Sequence, residues 1–125
     1  MAVVLVVDDD PLQRDILKVI LLNEGYETHV ASSGEEALRV AQTIDPDVVL
    51  TDLWMQHMNG IELMKKLKSK MHAPEVIIMS AFGAIPQVVE AARRGACRYI
   101  EKPLEKDMVL LKIKQALERC TVWKR

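Results

Sequence analysis

Five short apolar runs, about 25 residues apart, constrain this chain more than any other feature of it. They are Val3–Val7, Glu27–Ala31, Val48–Thr51, Glu75–Ser80 and Cys97–Glu101. Val3–Val7 and the Val76–Met79 centre of the fourth are unbroken aliphatic stretches, the pattern of strands covered on both faces. Helical punctuation fills the intervals. Asp10-Pro11 reads as an N-cap followed by proline at the first helical position, and Gly25 stops a helix that runs to about Glu24. Ser33, with Glu36 three residues later, is a capping box opening a helix to about Thr43. Asn59-Gly60 leads into a helix over about Ile61–Ser69, Pro86 starts one that Gly95 ends, and Lys102-Pro103 precedes a last helix from Leu104 to about Cys120. Five strands alternating with five helices predict a doubly wound α/β fold, a parallel sheet with helices on both faces. The period matches no solenoid consensus, and no linker or low-complexity tract appears. Residues 1–125 therefore read as one domain, long enough to bury roughly two thirds of its unfolded surface.

Composition narrows the function. With 17 Lys+Arg against 18 Asp+Glu, the formal net charge is −1, which gives no ground for binding nucleic acid or an anionic membrane. Residues 1–62 hold most of the acids and 63–125 most of the bases, a segregation read as ordinary solvated helix faces. The apolar runs are too short or too interrupted to cross a bilayer, and Met1 leads straight into a strand, arguing for a cytoplasmic protein. Cys97 and Cys120 are too few for a disulfide framework or a metal cluster and read as reduced thiols.

The chemistry gathers at the strand ends. In an open parallel sheet, sites form beyond the carboxyl ends of the strands. The first strand here ends in Asp8-Asp9, the third in Asp52, the fourth in Ser80 and the fifth in Lys102. Carboxylates crowded in a partly desolvated pocket repel one another, and a hard divalent cation removes the conflict. Oxygen ligands in a small site favour Mg²⁺, which uses one or two carboxylates together with phosphate oxygens. Such a site can support phosphoryl transfer to an aspartate, with Lys102 and Ser80 contacting the remaining oxygens.

These residues resemble the receiver domains of two-component response regulators. The likeness rests on Val6-Val7-Asp8-Asp9-Asp10-Pro11, Pro46-Asp47-Val48-Val49-Leu50-Thr51-Asp52-Leu53, Met58-Asn59-Gly60, Val76-Ile77-Ile78-Met79-Ser80-Ala81, Gly95-Ala96 and Tyr99-Ile100-Glu101-Lys102-Pro103-Leu104. It spans nearly the whole chain. It implies a flavodoxin-like strand order 2-1-3-4-5 over residues 1–125. It also implies a signalling switch that catalyses only its own phosphorylation and dephosphorylation. On this resemblance Asp52 is the phosphoacceptor, Asp9 binds Mg²⁺ directly, and Asp8 binds it partly through water. The backbone carbonyl of Trp54 completes the protein ligands. Lys102 contacts the phosphate and precedes a cis peptide to Pro103. Ser80 is the switch hydroxyl, and Tyr99 the aromatic that turns inward with it. The implied partner is a sensor histidine kinase or a histidine phosphotransfer protein. The domain itself is expected to bind neither nucleic acid nor membrane, and a phosphorylation-dependent homodimer through the fourth helix, fifth strand and fifth helix stays open.

Two departures stand out. Gln56 occupies a place where the family usually has proline. Trp54 and Phe82 are both bulky, and by restricting attacking water they are expected to lengthen the life of an acyl phosphate.

Several residues admit two readings. Asp10 is either an N-cap or a third metal acid, and Pro11 favours the cap. His57 is a loop histidine or a ligand; His29 and His72 carry no partner pattern. Lys65, Lys66, Lys68 and Lys70 read as a solvated helix face. In the first helix, Leu17, Ile20 and Leu21 suit the core. Leu12, Ile16 and Val19 form a second apolar stripe, read mostly as packing, with Leu12 and Val19 as candidate contacts to a kinase or phosphotransfer helix. The seven methionines read mostly as core gap-fillers. Two other functions compete. A phosphatase of the haloacid dehalogenase type needs Asp-x-Asp-x-Thr/Val after the first strand, whereas Pro11-Leu12 follow Asp8-Asp9-Asp10. A flavodoxin-like electron carrier needs a hydroxyl-rich first loop, which these acids replace. The residues around Ser80–Pro103 resemble receivers of enhancer-binding transcription activators.

Overall fold

A computed structural model describes residues 2–81, 86–94 and 97–124, without the side chains of residues 87 and 120–124. Ten elements alternate along it: β1 (Val3–Val7), α1 (Pro11–Asn23), β2 (Glu27–Ala31), α2 (Gly34–Ile44), β3 (Val48–Asp52), α3 (Gly60–Lys68), β4 (Glu75–Ser80), α4 (Pro86–Arg93), β5 (Arg98–Glu101) and α5 (Lys106–Lys124). All four strand pairings are parallel, in the order β2-β1-β3-β4-β5. The expected α/β architecture and strand order are both found.

Successive strand residues point to opposite faces, and each face has its own core. Val4 and Val6 of β1, Val48 and Leu50 of β3, and Ile77 and Met79 of β4 pack with Leu17 and Leu21 of α1 and with Val109, Ile113 and Ala116 of α5. Leu5, Val7, Val49, Val76 and Ile78 pack on the other side with Ala37 and Ala41 of α2, Leu63, Met64 and Leu67 of α3, and Val88 of α4. Most of these side chains are fully buried. Two apolar faces explain why the central strands read as continuous apolar runs rather than alternating ones. They also set the site's position. After β1 the chain turns to one face as α1, and after β3 it turns to the other as α3, so the loops diverge between two adjacent strands.

Several boundaries and contacts depart from the sequence reading. The strand β5 begins at Arg98 rather than Cys97, and α5 at Lys106 rather than Leu104. The expected Gly95 stop and the Gly95-Ala96 motif lie outside the described residues. Asp10 caps α1, its carboxylate accepting from the Leu12 amide at 3.1 Å, with Pro11 at the first helical position. The Ser33 box is wider than expected. Ser33 accepts from Glu36 N–H at 3.1 Å, but the Glu36 carboxylate reaches back to the amide of Ser32, at 2.8 Å, rather than to Ser33. A full capping box, Asn59 with Glu62, opens α3 and was not read from the sequence. The stripe on α1 is not packed: Leu12 is 68% exposed, Ile16 48% and Val19 55%. Lys65 and Lys66 are solvated, but Lys68 pairs with Glu75 at 3.2 Å and Lys70 donates to the Ala41 carbonyl at 3.2 Å. His29 does have a partner, Glu27, at 2.9 Å. Cys97 is a buried free thiol, its pKa pushed up by burial, whereas the Cys120 side chain lies outside the described residues.

The cap assigned to Asp10 is testable in isolation. Replacing Asp10 with alanine is expected to lower the unfolding free energy by about 1 kcal/mol in denaturant titration, whereas serine retains most of it.

Candidate functional site

Parallel pairing of β1 with β3 puts Val7 beside Thr51, so Asp8 and Asp52 leave the sheet side by side. Asp8 is almost fully buried, at 1% exposure. Its amide donates to the Ala31 carbonyl at 3.1 Å and its Oδ1 accepts from the Asp10 amide at 3.0 Å. Its Oδ2 is buried without a hydrogen-bond partner. Asp9, the next residue, is exposed.

From β3, Asp52 directs a partly buried carboxylate to the same place. Its Oδ1 accepts from the Leu53 amide and from Lys102 Nζ, each at 3.1 Å. Lys102 follows β5 and reaches back across the sheet edge. Its own amide donates to the Ser80 carbonyl at 2.6 Å, tying the end of β5 to the end of β4. The peptide from Lys102 to Pro103 is cis, as the resemblance implied.

Oxygens of Asp8, Asp9 and Asp52 all lie within 4.8 Å of one another. Burial is the largest influence on both Asp8 and Asp52 and raises the pKa of each carboxyl. The hydrogen bond from Lys102 pulls Asp52 back down, while repulsion from Asp9 raises both and repulsion from Asp52 adds to the rise at Asp8. Three acids with one ammonium among them leave an excess of negative charge at the edge of the sheet. An all-oxygen donor set, with one buried carboxylate oxygen lacking any partner, fits a hard divalent cation. Asp10 is not in this group, since its carboxylate caps α1.

The segment after β3 is held by its backbone. Leu53 N–H donates to the Met79 carbonyl at 2.9 Å, and the Gly60 amide to the Leu53 carbonyl at 2.8 Å. A Cβ on Gly60 would sit 2.7 Å from the Asp52 carbonyl oxygen, so only glycine allows α3 to start this close to the site. His57 has φ 70°, and the Met58 amide donates to the Gln56 carbonyl at 2.8 Å across it, a γ-turn with positive φ at its centre. His57 is exposed and outside the carboxylate group, so the loop reading holds. Nothing in its residue type signalled the turn. Met58 packs against Gly34, where an added Cβ would lie 2.6 Å from its sulfur.

The remaining expected residues are distributed along the same edge. Trp54 is 59% exposed on the loop after Asp52. Ser80 is buried at the end of β4, one residue past Met79, which pairs with Asp52. Tyr99 lies half-buried on β5 opposite Ile78 and packs against the core that holds Val88. Phe82 lies outside the described residues.

Comparison with known proteins agrees with this fold. The family description of the response regulator receiver domain matches residues 4–114. The regulatory protein AtoC of Escherichia coli (strain K12) is 38% identical over 115 residues, covering 92% of this chain and 25% of that protein. The chain thus spans about a quarter of the length of the curated relatives it matches. Among solved structures, the receiver domain of NtrX from Brucella abortus is 37% identical with a TM-score of 0.84, over 92% of this chain and 98% of that one. A response regulator receiver domain protein from Clostridium thermocellum reaches a TM-score of 0.91 at 29% identity, over 98% and 99%.

The raised carboxyl pKa values predict the pH dependence of the cation-free protein. A group with a raised pKa in the fold adds stability at low pH and loses it as pH rises through that value. At neutral pH Asp8 and Asp52 are therefore a burden on the fold. Thermal unfolding in chelator should give Asp8→Asn a higher Tm than wild type near about pH 7, the gap closing toward about pH 4.

Proposed function

We infer the function from one premise: the chain belongs to the response regulator receiver domain family. Receiver domains take phosphoryl groups from histidine kinases. We propose that residues 1–125 form such a switch and accept a phosphoryl group on Asp52 from a sensor histidine kinase or histidine phosphotransfer protein. The observation that carries this is the convergence of Asp8, Asp9 and Asp52 with Lys102 at one sheet edge.

Asp8, Asp9, Asp52 and the Trp54 carbonyl would hold Mg²⁺, which when bound neutralises the crowded acids and the oxygens of an incoming phosphoryl group. Asp52 supplies the nucleophile. Its Oδ1 is engaged by Leu53 N–H and Lys102, so Oδ2 attacks phosphorus. The new O–P bond forms as the P–N bond to the donor imidazole breaks, and the imidazole leaves with the electron pair and takes a proton. Lys102 moves its ammonium onto the phosphoryl oxygens. Ser80 donates its hydroxyl to another, and Tyr99 turns inward with it, so phosphorylation shifts a population between two states. Water attack on the acyl phosphate later restores Asp52, and the bulk of Trp54 slows it.

The exposed α1 stripe, including Leu12 and Val19, follows directly from the acidic turn and supplies an apolar surface for the donor's helix. None of the described helices is long and apolar enough to cross a membrane, and we propose a cytoplasmic location. An output as part of a longer transcription regulator accords with the relatives' names, and homodimer formation through α4, β5 and α5 is part of the same proposal.

Incubation with Mg²⁺ and a small-molecule phosphodonor should label Asp52, giving an acid-stable, hydroxylamine-labile adduct by mass spectrometry. Asp52→Asn should abolish it, and chelator should prevent it. Catalytic turnover of a phosphate ester without a protein adduct would instead favour the dehalogenase-type phosphatase.

A further inference from the structure

The guanidinium of Arg14 lies beside the acidic turn, and neither the motif nor the proposed transfer chemistry uses it. Its Nη1 donates to the backbone carbonyl of Asp8 at 2.9 Å, from one turn into α1. Arg14 is half-buried and forms no ion pair with a carboxylate among the described residues, although three acids precede α1. An arginine beside so much negative charge ordinarily takes a carboxylate in its fork. Here it takes a peptide oxygen.

The consequence falls on Asp9. No described residue hydrogen-bonds its carboxylate, so its aim depends on the two peptides that flank it. The peptide from Asp9 to Asp10 is held by the Asp10 amide bonding to Asp8 Oδ1. The peptide from Asp8 to Asp9 is held at its oxygen by Arg14. The Asp8 amide, bonded to Ala31, completes the frame. We propose that Arg14 is a positioning residue for the cation site, fixing the Asp8–Asp9 peptide so that both carboxylates meet Asp52. This rests on the reading of Asp8, Asp9 and Asp52 as that site.

The sign of the effect separates positioning from simple charge. If Arg14 acted only through its positive charge, removing it would strengthen cation binding. If it positions the ligands, removing it weakens binding, typically by about tenfold or more for a group that orients metal ligands. The test is Mg²⁺ titration of the unphosphorylated protein, followed by tryptophan fluorescence and by calorimetry, for wild type, Arg14→Met and Arg14→Lys. Arg14→Met is expected to bind about tenfold more weakly, with Arg14→Lys, which retains one charged donor, in between. Should Arg14→Met not fold by circular dichroism, Arg14→Gln takes its place with the same expectation. Binding by the methionine or glutamine variant as tight as wild type or tighter, or a lysine variant no better than it, overturns the inference while leaving the cation site intact. A wild-type protein that binds no Mg²⁺ overturns the cation site itself, and the inference with it.

Discussion

Repulsion among three carboxylates at the edge of a parallel sheet is the constraint on which the rest of this molecule turns. Asp8 is buried with one oxygen unpartnered, Asp52 is mostly buried, and among the described residues a single ammonium reaches the pair, at Asp52 Oδ1. Charges removed from water cost several kcal/mol each unless they are compensated, and one lysine cannot compensate two largely buried acids with an exposed third beside them. The raised pKa values of Asp8 and Asp52 register the same conflict as a reluctance to ionise. A fold that keeps such a cluster has to hold it by force from elsewhere, and two well-packed cores supply that force.

The restraints are mostly backbone. The parallel register of β1 and β3 decides that Asp8 and Asp52 are neighbours. Leu53, wholly buried behind Asp52, donates to the Met79 carbonyl as well as to the carboxylate, so the acceptor's own peptide is pinned to β4. Gly60 lets α3 begin against the Asp52 carbonyl, where any side chain would collide. These contacts also bear on Gln56. A loop tied at Leu53 and Gly60, with Met58 wedged against Gly34, is restrained on both sides of Gln56.

Much of this was legible beforehand. Unbroken aliphatic runs gave β1, β3 and β4, because a strand covered on both faces has no polar side to interrupt it. The strand-end acids were legible because a parallel sheet presents all its carboxyl ends on one edge. Other features left no local trace. Periodicity reports that the α1 stripe is apolar, not what covers it, so it leaves packing and a partner contact at Leu12 and Val19 unseparated, and only the structure shows the stripe exposed. Lys70 reaches the Ala41 carbonyl, 29 residues away in the chain, and only tertiary placement can show that. The pairs Glu27–His29 and Glu75–Lys68 likewise depend on side-chain reach rather than on residue type. The turn at His57 is hidden for a different reason: a histidine with positive φ is uncommon, and only the surrounding loop imposes it.

The distribution of burial also indicates where a change at Asp52 can travel. The central strands β1 and β3 are closed in on both faces, and close-packed interiors do not deform continuously. The edge strand β5 is different, with Arg98 and Tyr99 half-buried and Glu101 exposed. Lys102 connects the two regions. Its ammonium is on Asp52 and its amide is on the Ser80 carbonyl, so moving the side chain to meet a new charge loads the junction of β4 and β5. Tyr99 lies three residues back on that strand, against the core that Val88 of α4 shares. A rigid centre and a softer edge joined through one lysine favour a response at β5 and α4, not in the strands that hold the acids.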